Sequence, residues 1–331
     1  MLPGTSPAVP VPGAAGGGVP SFGFLLRLNG RHDPARQYRD GLEVFAAAER
    51  AGLDSGWITS HHFAAPQGTI ASPLLYLTAA AARTTRLRLG AAVVVLTLED
   101  PIRVAEDAAL LDSLSGGRLE LGLGRGLEDW PFAAFGIDYD DRRAIYTRSL
   151  ERLRAVLGGT ELPGGRRLHP PAPTVADRIW EPAVDIADGE RIGASGAGLL
   201  ASRSKRLAPA AAEAAQRDLV DAYREAARRA GHRPRVALSR TVYVGATEAS
   251  ARAEFDGGLP PGPVDASQAV VGGPAEVADR LRADPLLSGA DHLLVQAIPA
   301  KLPLEHWRRS LELVGREVGP ALARSARAVS R

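Results

Sequence analysis

The 331-residue chain contains no cysteine, which excludes disulfides, thiol nucleophiles and cysteine metal ligands. It is nearly without lysine: Lys205 and Lys301 stand alone, so the 40 basic residues are almost all arginine. They are mixed with 38 acidic residues, and no Lys/Arg block of the kind a nucleic-acid arm needs is present. No apolar run reaches the ~20 residues of a membrane-spanning helix. Residues 1–20 are mostly Pro, Gly, Ala and Val, with neither a charged start nor a compact apolar stretch. They read as a disordered leader rather than a signal peptide, ahead of one domain over 21–331, with a cytoplasmic location as the default. No G-x-G-x-x-G follows the first strand-like run, which counts against a doubly wound dinucleotide-binding sheet.

What is present is an alternation. Strand-like runs cover Phe22–Leu28, Ser55–Ser60, Arg86–Leu96, Arg118–Gly124, Ile179–Asp185, Gly198–Arg203, Arg235–Gly245 and His292–Ile298. Helical patterns fall between them at Pro34–Ala51, Pro73–Ala82, Pro101–Ser115, Asp141–Leu157, Pro209–Ala230 and Pro274–Leu286. A last helix, Pro303–Val318, sets Leu304, Trp307, Leu311, Val314 and Val318 on one stripe, to pack on the barrel or on a second chain. Only Gly189–Gly196 is left for a helix between the fifth and sixth strands. Prolines open several helices, as suits a position whose N–H has no intrahelical partner. Parallel neighbours require crossover connections, so eight such units predict an α/β fold, a (β/α)8 TIM barrel. Gly158–Pro173 and Asp256–Val271, rich in Pro and Gly, read as surface loops.

Barrel enzymes carry their chemistry at the carboxyl ends of the strands. Those ends hold Ser60-His61-His62-Phe63, Leu96-Thr97, Gly124-Arg125-Gly126, Asp185, Ser202-Arg203 and Gln296. Adjacent residues of an extended segment point oppositely, so only one of His61 and His62 is expected to face the mouth. That spacing also argues against a metal site. Arg125 is expected either to pair with a carboxylate such as Glu99 or Asp129, or to contact a ligand past its flanking glycines.

Several ordered segments resemble the flavin-dependent luciferase-like monooxygenases: His61-His62-Phe63, Leu89–Leu96, Asp100–Asp107, Leu111–Arg118, Gly124–Leu127, Phe135-Gly136, Gly272–Leu281, Gly289–Gln296 and Arg309–Val318. The resemblance runs from about Phe22 to Pro320, and Arg178-Ile179-Trp180 places it near an FMN-type branch of largely unknown substrate. It implies a luciferase-like barrel that binds reduced FMN and, with O2, oxygenates a small organic substrate. It also implies a separate flavin reductase as partner and a homodimer or heterodimer as the assembly. His61 is the implied acid/base or stabilising residue, and Arg125 and Arg143 (Arg142 if the register slips by one) the implied phosphate ligands. Ala91–Ala92 is the implied cis peptide, and Val184–Gly189, with Asp185 and Gly189, the implied phosphate loop. Asp185 stands where the family offers a hydroxyl; at ~4 Å, like unit charges repel by about 4 kcal/mol at an effective dielectric of ~20. A non-catalytic partner subunit and an F420-dependent oxidoreductase are the alternatives.

Overall fold

The computed structural model describes residues 20–28, 33–63, 68–203, 207–260, 266–297 and 301–329. Eight parallel strands form the barrel: β1 (Ser21–Leu26), β2 (Ser55–Ile58), β3 (Arg88–Ala91), β4 (Leu119–Gly124), β5 (Ile179–Pro182), β6 (Gly198–Ala201), β7 (Val236–Val244) and β8 (His292–Gln296). Each pairs with the next, and β8 closes on β1 with Ser21 opposite His292. The helices after them are α1 (Pro34–Ala51), α2 (Pro73–Ala81), α3 (Pro101–Ser115), α4 (Arg142–Leu157), α5 (Ile186–Ala194), α6 (Pro209–Arg229), α7 (Pro274–Arg282) and α8 (Leu304–Leu313). The leader expected over 1–20 lies, except for Pro20, outside the described residues.

Local chemistry fixes the helix ends. Asp33 and Asp100 accept from first-turn N–H groups of α1 and α3, each followed by a first-turn proline. Gly52 and Gly116 end the same helices at φ 89° and 71°, a conformation that disfavours any residue with a Cβ. The Trp307 stripe packs inward: Trp307, Leu311, Val314 and Val318 are buried, and α8 lies on α1.

Three expected boundaries shift. The run Arg86–Leu96 is not one strand: it holds β3, a turn, a two-residue strand at Val94–Val95 and a 3-10 turn over Leu96–Leu98. Strand β5 stops at Pro182, which has no N–H to continue the ladder, so Asp185 opens α5 instead of ending a strand. Within the loop expected over Asp256–Val271, Val270–Gly272 pairs with β7, while the helix Glu248–Gly257 carries the chain away from that strand. Residues 261–265 of that loop lie outside the described residues.

Two tryptophans seal the barrel. Trp57 and Trp180 meet edge to face, with ring centroids 5.9 Å apart. Each lies over a glycine of the next strand: a Cβ on Gly90 would sit 1.9 Å from Trp57, and one on Gly198 would sit 2.3 Å from Trp180. Below them Arg88 Nε donates to Glu120, whose other oxygen accepts from Trp180 Nε1 at 2.6 Å. Ser21 and His292 are hydrogen-bonded in the same buried layer.

Candidate active site

Above the tryptophans, at the carboxyl ends of the strands, opens a cavity of about 780 Å³. Ligand sites run from roughly 300 to 1,000 Å³. Its floor is Leu25, Ala92, Leu200, Ala237 and Leu294, packed against or joined with the tryptophan pair. Strand alternation continues the wall upward, from Leu25 to Arg27, from Ala237 to Ser239 and Thr241, and from Leu294 to Gln296. Gln296 donates to Ser239 at 2.8 Å across that wall.

Both histidines line the cavity, contrary to the alternation argument, because β2 ends at Ile58 and the chain bends at His62 and Phe63. The His61 N–H donates to the Ile70 carbonyl at 2.8 Å, and its ring rests on Gly68, where a Cβ would lie 2.6 Å from Cδ2. Burial, reinforced by the charge of Arg27 and by His62, lowers the His61 pKa to about 4. His61 is therefore neutral near pH 7 rather than poised to titrate there. His62 is more deeply set, its ring edge-on to Phe135 at 5.2 Å. Among the described residues, Ser60 Oγ and Arg27 Nε are buried without a hydrogen-bond partner, and both residues line the cavity.

The low His61 pKa has a measurable consequence. A histidine whose folded-state pKa is depressed from 6.5 to about 4 binds more protons unfolded than folded between those values. Its contribution is fully present above pH ~6.5 and is lost as the pH falls towards 4. The denaturation midpoint should fall across that window, and the decline should be shallower in His61→Asn. NMR titration should place the ring's own transition near pH 4 rather than near 6.5.

The cis peptide is Ala92–Val93, not Ala91–Ala92. Ala91 is held in β3 register opposite Ile58, and the Ala92 N–H still donates to the Ile58 carbonyl, so the ladder ends one residue later than expected. Ala92 lines the cavity, while Ala91 is wholly buried behind it. The glycines before Arg125 serve this segment: a Cβ on Gly122 would lie 2.0 Å from the Ala91 carbonyl oxygen, and one on Gly124 would lie 2.5 Å from Val93 Cγ2. Gly124 nonetheless remains part of the cavity lining.

The expected phosphate ligands converge, but on a carboxylate. Arg125 donates through both terminal nitrogens to Asp188, at 2.6 and 2.7 Å, and neither Glu99 nor Asp129 is its partner. Arg143, mostly exposed, approaches the same carboxylate at 3.9 Å, while Arg142 stacks on the Tyr139 ring. Asp185 caps α5, its carboxylate accepting from the Asp188 N–H at 2.8 Å. Gly189 does not line the cavity. Its N–H bonds to the Asp185 carbonyl, and a Cβ there would lie 2.7 Å from Leu219, so it is glycine to let α5 approach α6. Burial raises the Asp188 pKa, but the Arg125 hydrogen bonds and charge outweigh it and hold the carboxyl below its ordinary range.

The apolar floor and polar upper wall of the cavity suit a flavin-type ring system. The terminal phosphate of FMN does not fit equally well, because the two arginines assigned to it already face a buried carboxylate. Arg27 and Asp188 are among the residues the sequence reading missed, as are Ser239, Arg240 and Thr241 on the cavity wall. The only signal for Asp188 was its place three residues after the helix-capping Asp185, inside the first turn of α5. Among the described residues, no group of three or more His, Cys, Asp or Glu could hold a metal ion. Nor is any described helix long and apolar enough to cross a membrane.

Comparison with known proteins agrees with this architecture. The chain is 42% identical over 128 residues to the uncharacterized protein y4wF of Sinorhizobium fredii, a stretch covering 39% of this chain and 37% of that protein. It is 39% identical over 143 residues to the 4-hydroxyprotoasukamycin monooxygenase of Streptomyces nodosus subsp. asukaensis, covering 43% of this chain and 38% of the enzyme. The matches thus span well under half the length of these relatives. Over 91% of the chain, the fold superposes with a TM-score of 0.77 and 20% identity on the oxygenating constituent of 3,6-diketocamphane monooxygenase from Pseudomonas putida. That structure contains FMN, and the superposition covers 98% of its chain. The model of the luciferase-like monooxygenase family matches residues 21–261, most of the barrel and both walls that carry His61 and Arg125, and the chain belongs to that family.

Proposed function

We propose that the chain is a monooxygenase acting on a small organic substrate with O2 and a reduced flavin delivered by a separate reductase. The observation that carries this reading is an uncharged His61 on the wall of a deep cavity whose apolar floor is backed by Trp57 and Trp180. The reduced flavin would supply two electrons, so that one atom of O2 enters the substrate and the other leaves as water. The chain's own part is to hold the ring plane against the floor, keep water from it and manage one proton. A neutral imidazole donates one N–H and accepts at its other nitrogen, so His61 can take up a proton without first losing one. The relatives named as monooxygenases support the same class of reaction. Deazaflavin F420, with hydride transfer in place of oxygenation, is the alternative cofactor.

The test is product labelling. Purified protein, photoreduced flavin and 18O2 are mixed with a panel of aldehydes, ketones and alkenes. One labelled oxygen per product molecule supports the proposal. Flavin reoxidation without incorporation across the panel, or turnover with reduced F420 alone, rejects it.

A further inference from the structure

Arg125, the cavity-lining arginine to which the family resemblance assigns a phosphate, is already engaged from behind the wall by the protein's own charge. Arg125 commits both terminal nitrogens to Asp188, which is 1% exposed, and Arg143 faces the same carboxylate. Two amides at the start of α5 are engaged as well: the Val184 N–H with Asp188 at 3.3 Å, and the Asp188 N–H with Asp185 at 2.8 Å. The next cation on that helix, Arg191, is held 2.8 Å from Glu181, a second buried acid, which also accepts from Tyr146. A phosphate dianion beside Arg125 would have to share its guanidinium with a buried carboxylate or force that carboxylate out of its ion pairs with Arg125 and Arg143. A ribityl chain ending in a neutral hydroxyl meets no such opposition, since a hydroxyl both donates and accepts.

We propose that Asp188 is a specificity residue that excludes a terminal phosphate, so that the mouth takes riboflavin in preference to FMN. This rests on the flavin reading above and narrows it to a flavin without a charged tail.

Anaerobic titration of the full chain with photoreduced riboflavin and photoreduced FMN, followed by flavin absorbance at low salt, tests the inference. Riboflavin should bind at least as tightly as FMN. Asp188→Asn, which keeps the shape and removes the charge, should tighten FMN by about tenfold or more and leave riboflavin within about threefold. Arg143→Ala guards against a misfolded Asp188 variant, because that side chain is 65% exposed. Its riboflavin-to-FMN ratio should match that of the unaltered chain. A preference for FMN of about tenfold in the unaltered chain overturns the inference and leaves the flavin reading standing, as does a selective loss of FMN in Arg143→Ala. Failure of both flavins to bind overturns the inference and the proposed function together.

Discussion

Replacing His61 by alanine should lower the oxygenation rate by about 100-fold or more while leaving reduced-flavin affinity within about threefold. The cavity floor is built from Leu25, Ala92, Leu200, Ala237 and Leu294, and no floor atom belongs to His61, so ring binding survives the truncation. What is lost is an imidazole that lines the cavity with its ring against Gly68, on a backbone anchored by the His61 main-chain N–H to the Ile70 carbonyl. His62 cannot take over, because its ring is held edge-on by Phe135. The pH profile of kcat/KM separates two accounts of the role. With the His61 pKa near 4, the free enzyme should show no histidine limb between pH 6 and 8, and activity should fall only as the pH approaches 4. A limb near 6.5 that disappears in His61→Ala would contradict the burial account, and full turnover in the variant would reject the residue's role altogether.

Glu120→Leu should cost about 3–5 kcal/mol of stability, because it leaves the Arg88 guanidinium charged and unpaired inside the barrel. Both side chains are at most 2% exposed, and Arg88 makes its only described ion pair with Glu120. Two of the three Arg88 nitrogens already lack a hydrogen-bond partner among the described residues, so no alternative acceptor is in place. The Trp180 indole N–H would also lose its acceptor, loosening the ring that backs the cavity floor. For a chain of this size the loss corresponds to a fall of roughly 4–7 °C in melting temperature. The double variant Arg88→Met, Glu120→Leu removes the stranded charge and should recover about half or more of the loss. If the single variant melts with the parent, the pair contributes nothing to holding the tryptophan layer.

The barrel was legible in the sequence because its signals are local. Strand-like runs such as Arg118–Gly124 stand at regular intervals, that one buried throughout Leu119–Gly124, and first-turn prolines with left-handed glycine ends mark the helices between them. The helix after β5 was hard to see because Pro182 stops the strand early and α5 begins at Ile186, where an extended run was expected to have only just ended. The site was legible as a set of strand ends but not as an arrangement. Arg125 and Asp188 are 63 residues apart, and nothing local marks one as the other's partner. Opposite facing of His61 and His62 was a sound inference for a strand that continued, and the strand did not continue.

The sequence by itself determined the periodic skeleton, the absence of thiol chemistry and which strand ends bear histidine and arginine, since each depends on residues close along the chain. Only the tertiary structure decided that His61 is uncharged, that Gly122 and Gly124 make way for the Ala92–Val93 bend, and that Asp188 answers both arginines. Those three depend on burial and on charges brought together across the barrel, and neither exists until the sheet has closed.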